Sequence, residues 1–160
     1  MVTIALYNLK GGVGKTAATI NLAYLSAKQG YKTLIWDLDP QGSSSFYLGA
    51  TANIKNEAKK ILTGEMDLAT AIQPSAYENL DIIPADLSAR HADILLNEMK
   101  QSKKKISAIL STIKNEYDIV FLDCPPGISV LHDAVFAGVD WILMPNIPTT
   151  LSIRSFESVL

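Results

Sequence analysis

Apolar and polar positions fall into two rhythms along this chain. Near-continuous apolar runs of strand length occupy residues 2–7, 31–37, 80–84, 117–123 and 139–144. Such runs, without strict alternation, read as strands buried on both faces of a sheet. Between them the apolar positions take helical spacing. Ile20, Leu22, Ala23, Leu25 and Ala27 mark one helix that stops at Gly30. Ile106, Ile109, Leu110 and Ile113 mark another, and residues 129–137 read as a third. Shorter helical pieces are expected over Ser43 to Leu48, over Glu57 to Leu62 with a stop at Gly64, and over Leu68 to Ile72 before Pro74. Asp86 or Ser88 is expected to cap a helix running through Met99, and Thr150 or Ser152 to open a final one.

The first strand, first helix and second strand fit within about 40 residues, the length of a βαβ unit, which pairs strands in parallel through a right-handed crossover. The expected class is therefore α/β. A chain of 160 residues suits one domain, residues 1–160, with a sizeable core. Charged residues make up 19% and hydrophobic ones 48%, a globular composition rather than a disordered one. The net charge of −2 gives no electrostatic case for nucleic-acid binding by the chain as a whole. Cys124 is the sole cysteine, which rules out an internal disulfide and fits a reducing cytoplasm. No signal-peptide pattern opens the chain, and no apolar run reaches the roughly 18 residues of a membrane span.

Chemistry enters with Leu-Lys-Gly-Gly-Val-Gly-Lys-Thr at residues 9–16. A strand runs into Gly11, Gly12 and Gly14, and Lys15 and Thr16 open a helix. That context is what a phosphate-binding loop requires. Glycines let the backbone wrap close to an anion, and the following helix adds its positive end. Lys15 would reach the β- and γ-phosphates of a nucleotide, and the Thr16 hydroxyl a Mg2+ ion. Two strands end in acids: the second runs into Asp37-Leu38-Asp39-Pro40-Gln41-Gly42, the fourth into Asp123-Cys124-Pro125-Pro126-Gly127. Open α/β sheets bind ligands at the carboxyl ends of their strands. An apolar run followed by aspartate has the Walker B form, so Asp123 is expected to hold Mg2+ beside Thr16. That reach requires the strand of Asp123 to lie next to the first strand.

Lys10 stands directly before the glycine pair, where the general phosphate loop carries no lysine, and Leu9 stands where that loop has its first glycine. With this second lysine, with Asp-Leu-Asp-Pro-Gln-Gly and with Asp-Cys-Pro-Pro, the chain resembles the ParA/Soj-type partition ATPases of the ParA/MinD family of deviant Walker A proteins. The resemblance covers all 160 residues. It implies a doubly wound, mostly parallel sheet with helices on both faces and strand order 3-2-4-1-5. It implies ATP and Mg2+ as ligands. Lys10, Gly11, Gly12, Val13, Gly14, Lys15, Thr16 and Ala17 would then hold the nucleotide. Asp39 would position the attacking water, and Asp37 would be a Mg2+-side acid or stand behind the metal ligands. Lys10 would cross a nucleotide-sandwich homodimer to the partner's phosphates. Ala17 replaces the family's usual second threonine, and its N–H can still meet the α-phosphate. A ParB-like adaptor would stimulate hydrolysis, and the output would be plasmid or chromosome partitioning. The family continues for about another hundred residues. That part carries its later strands, its adenine loops and much of its DNA- or membrane-binding surface. The fifth strand, with Trp141 to Met144, is therefore expected to be an uncovered apolar edge.

Other readings remain open at this level. The same ATPase could position a cell-surface or polysaccharide-synthesis assembly. The chain could instead be a nucleotide-binding module that pairs with a longer homologue. An iron–sulfur cluster of the nitrogenase iron-protein kind needs two cysteines per subunit, and an Asn-Lys-x-Asp guanine signature is absent. His91 and His132 read as surface or packing residues, Cys124 as a buried filler, and Lys103 to Lys105 as a solvated helix start.

Overall fold

The computed structural model describes residues 1–148. The expected opening of a last helix at Thr150 or Ser152 lies outside them. In chain order the elements are β1 (Val2–Leu6), α1 (Lys15–Lys28), β2 (Thr33–Asp37), α2 (Ser43–Tyr47), α3 (Glu57–Thr63), β3 (Gln73–Pro74), β4 (Leu80–Ile83), α4 (Ala92–Glu98), α5 (Ser102–Ser111), β5 (Ile119–Asp123), α6 (Val130–Phe136) and β6 (Trp141–Leu143). Short 3-10 turns occupy Leu68–Ala71 and Leu87–His91.

The strands form one sheet in the order β3-β4-β2-β5-β1-β6. All neighbours pair in parallel except β3, which lies antiparallel on β4. Without β3 the order is the expected 3-2-4-1-5. The two residues of β3 come just after the 3-10 turn at Leu68–Ala71, and they make β4 an inner strand. Each interior strand is covered on both faces. On one face Leu6, Ile35, Leu80, Ile82 and Phe121 pack with Ala23 and Ala27 of α1. On the other, Tyr7, Leu34, Trp36, Ile83, Val120 and Leu122 meet Ile61, Leu96, Ile106, Leu110 and Leu131 from α3 to α6. Alternate residues of one strand thus enter opposite cores, as a pleated strand demands.

The buried stripe of α1 differs from the expected one. It consists of Lys15, Thr19, Ala23 and Ala27, spaced four apart, while Leu22 and Leu25 are exposed. Large strand residues already fill the space under the helix, so small residues let it sit close. Gly30 ends it at φ 92°, the left-handed conformation a Schellman-type stop requires. The caps near residue 90 also differ. Asp86 and Ser88 do not cap the helix that follows them. Asp86 Oδ2 accepts from the N–H of Ala58 at 3.3 Å and Ser88 Oγ from that of Lys59 at 3.1 Å, so both serve the start of α3. The helix from 87 to 98 is split at Ala92 into a 3-10 turn and α4. Among the described residues β6 is an edge strand, and its Trp141, Ile142 and Leu143 are exposed.

Candidate functional site

The sheet order places β1 directly beside β5, with β2 on the far side of β5. Leu6 pairs in register with Asp123, and Asp123 with Asp37. The glycine turn leaving β1 and the two acids therefore meet at one rim, the carboxyl ends of three adjacent strands. Gly12 and Gly14 hold φ of 76° and 91°. A Cβ added at Gly11, Gly12 or Gly14 would meet no protein atom within 4 Å. Gly12 and Gly14 are thus needed for backbone conformation, and all three glycines leave open space above the loop. α1 starts at Lys15 behind Gly14 as its N-cap, with no side-chain cap and no acid in its first turn, which leaves that positive end free for an anion.

Lys15 is buried despite its charge, and its Nζ donates to the Lys10 carbonyl at 3.1 Å. Burial pulls its pKa down, and the carboxylates of Asp123 and Asp39 push it back up. Thr16 Oγ1 donates to Asp123 Oδ2 at 2.8 Å. Ser44 Oγ donates to the same oxygen at 2.7 Å. Asp123 Oδ1 is buried and has no hydrogen-bond partner among the described residues. A buried carboxylate oxygen without a donor is costly unless something positive meets it. This orphan oxygen next to a threonine hydroxyl suits a hard cation that takes few protein ligands and keeps its waters. The residues present therefore fit Mg2+. Burial raises the Asp123 pKa, and the two hydroxyls oppose that rise.

Asp37 is also buried. Its Oδ2 accepts the N–H of Ser45 at 2.9 Å and the Ser45 hydroxyl at 2.7 Å, and its Oδ1 accepts the N–H of Asp39 at 3.2 Å. Burial pushes its pKa up to about 6 against these three donors, and nearby Asp123 adds to the rise. Both Asp37 oxygens are thus engaged by protein donors. Asp39 is half-buried and holds the turn through the N–H of Gln41 at 2.9 Å. Lys10 is half-buried too, its N–H bound to Asn8 Oδ1 at 2.9 Å. Val13 is half-buried, and Gly11, Gly12, Gly14 and Ala17 are exposed.

Three supporting residues carried no role in the sequence reading. Asn8 clips the loop to the end of β6 through Pro145 and Asn146. Ser44 and Ser45 hold the two acids. Their only signal was a run of small hydroxyl residues after Gly42. The segment after Asp123 is tied to the loop as well. The Tyr7 hydroxyl donates to the Gly127 carbonyl at 2.8 Å, and the Gly127 N–H donates to the Leu9 carbonyl at 3.1 Å. His132 is a packing residue: it is buried against Tyr7, and its ring nitrogens meet Ser129 Oγ and the Pro125 carbonyl. Burial lowers its pKa. Cys124 is fully buried, and its thiol pKa is raised by that burial, which leaves it an inert filler.

Fold and site together define a P-loop protein of the doubly wound α/β class. Over residues 1–160 the chain matches the AAA_31 family of AAA domains, and it belongs to that family, with the deviant Walker A loop of the ParA/Soj type. Soj of Bacillus subtilis, a sporulation initiation inhibitor protein, is 34% identical over 143 residues, 89% of this chain and 56% of that one. The chromosome-partitioning ATPase Soj of Treponema pallidum is 32% identical over 143 residues, with the same two shares of 89% and 56%. The chain spans about half the length of the curated relatives it matches. Among solved structures, cobyrinic acid a,c-diamide synthase of Mycobacterium smegmatis, with bound ADP and magnesium, gives a TM-score of 0.91 at 25% identity over 99% of this chain and 65% of that one. An ATP complex of Cyanothece McdA gives a TM-score of 0.92 at 25% identity over 99% and 61%. Among the described residues no helix is long and apolar enough to cross a membrane.

Proposed function

We propose that this chain is the nucleotide site of a ParA-type ATPase, binding ATP with Mg2+ and hydrolysing the terminal phosphoanhydride. One observation carries the reading: the open glycine turn, the buried Lys15 ammonium, Thr16 Oγ1 and the unpartnered Asp123 Oδ1 converge at one rim. The N–H groups of residues 11–17 would cradle the phosphates, and Lys15 would hold charge on the transferring phosphoryl. Thr16 and Asp123 would hold Mg2+, with Asp37 behind them. The ion, when bound, neutralises charge on the phosphate oxygens. Asp39 would orient the attacking water. Lys10 from a second copy would complete the charge clamp, as an arginine finger does elsewhere for about 10³ to 10⁵ in rate. A nucleotide-dependent sandwich homodimer would then be a switch that hydrolysis resets. Kinship with the chromosome-partitioning ATPase Soj supports partitioning of plasmid or chromosome DNA as the output. A ParB-like adaptor would stimulate hydrolysis, as the family resemblance implies.

The test uses three variants. Lys15→Ala should lose the thermal shift given by ATP with Mg2+. Asp39→Ala should keep that shift and stop phosphate release. Lys10→Ala should bind nucleotide but remain monomeric in light scattering. Turnover at the parental rate by Asp39→Ala, or an undiminished shift in Lys15→Ala, refutes the assigned roles.

A further inference from the structure

Ser44 and Ser45 are consecutive residues of the short helix α2, and each grips a different acid. Ser44 is wholly buried and donates to Asp123 Oδ2, while Ser45 donates twice to Asp37 Oδ2. The two acids lie side by side in register on β2 and β5. Ser45 Oγ also accepts the N–H of Ala85 at 2.7 Å, which ties α2 to the chain leaving β4. The helix is thereby held against the sheet, and Ser44 is presented to Asp123 from it.

An aspartate's last torsion is broad and two-fold, so rotamer preference does not set the plane of its carboxylate. Hydrogen bonds must set it. Oδ2 takes two hydroxyl donors, Thr16 and Ser44, and Oδ1 takes none among the described residues. That asymmetry decides which oxygen is left for a cation. Thr16 is itself a candidate ligand, so its hydroxyl answers to the cation as well as to Asp123. Among the described residues the Ser44 hydroxyl reaches the carboxylate alone. We propose that Ser44 is a positioning residue for the divalent-cation site, holding the Asp123 carboxylate so that Oδ1 faces the ion. This rests on the metal–nucleotide reading given above. It also links the cation to the Asp39 segment, because Ser44 lies five residues beyond Asp39 on the same stretch of chain.

The experiment titrates Mg2+ against the unfolding temperature of the whole chain, with a non-hydrolysable ATP analogue at fixed concentration and EDTA as the metal-free reference. Residues that orient a ligand typically change metal affinity 10- to 100-fold. Ser44→Ala should raise the Mg2+ half-point about tenfold. Its shift by the analogue in EDTA should match the parent. Ser44→Thr keeps the hydroxyl and adds a methyl group at a fully buried position. It should lower the unfolding temperature of the bare chain yet keep the parental half-point. Ser44→Cys keeps the side-chain shape with a somewhat larger atom and a weaker donor, so it should give a smaller rise in the same direction. A Ser44→Ala titration that overlays the parent overturns the proposal. Equal rises in the Ala and Thr variants also overturn it, since packing rather than the hydroxyl would then be responsible. A parental chain with no Mg2+-dependent shift overturns the metal–nucleotide reading itself, and the role of Ser44 falls with it.

Discussion

Asp37→Asn is the sharpest probe of the buried acid pair. The Asp37 carboxyl has its pKa raised from 3.8 to about 6 because burial disfavours its charge. The folded state therefore binds a proton that the unfolded state, titrating near 3.8, has already released. Stability from this group is complete below the unfolded pKa and is lost as pH rises through the folded one. A tenfold difference in proton affinity between the two states is worth about 1.4 kcal/mol, so the group accounts for about 2 to 3 kcal/mol lost between pH 4 and pH 7. Asn keeps a carbonyl oxygen for the two Ser45 donors and does not titrate. Urea unfolding of parent and variant, both in EDTA without nucleotide, gives two stability profiles whose difference isolates residue 37. Relative to the variant, the parent should gain stability as pH falls below about 6, by about 2 kcal/mol at pH 4. A flat difference, or one that grows toward pH 7, refutes the claim that Asp37 is held in a desolvated site.

Two further substitutions test packing away from the site. A Cβ at Gly138 would lie 2.8 Å from the Ser107 backbone nitrogen and 3.2 Å from the Ala134 carbonyl oxygen, so Gly138→Ala must push α5 from the end of α6. Overpacking of this kind costs about 1 to 3 kcal/mol, to be read by chemical denaturation, and an unchanged midpoint refutes the close approach. Asp86→Ala removes the acceptor for the Ala58 N–H at the start of α3. It should cost about 1 kcal/mol, or about 2 to 4 °C in unfolding temperature. Amide exchange should speed at Ala58 rather than in α4, and faster exchange confined to α4 would return the cap to its own helix.

The glycine turn shows how far local chemistry carries. Its spacing and the apolar run before it are local properties, and the positive φ at Gly12 and Gly14 follows from them. The same holds for the strands, whose apolar runs are legible because both faces are buried. Asp123 was legible for the same reason, as an acid ending such a run. Ser44 and Ser45 were not. A serine after a turn reads as a helix opener, and only the adjacency of β2 and β5 turns two such residues toward two acids. Asp86 and Ser88 failed in the same way, since the helix start they serve lies about thirty residues earlier in the chain. The exposed Leu22 and Leu25 mark the other limit: helical periodicity locates an apolar face, but the space above the sheet selects which part is buried.

By itself, then, the amino-acid order settled backbone conformation, burial period and the identity of the charged groups, because each depends on neighbours a few residues away. Which hydroxyl meets which carboxylate, and which oxygen of Asp123 stays without a donor, was decided only when distant strands were laid side by side. Those contacts depend on separations of tens of residues, and no local pattern encodes them.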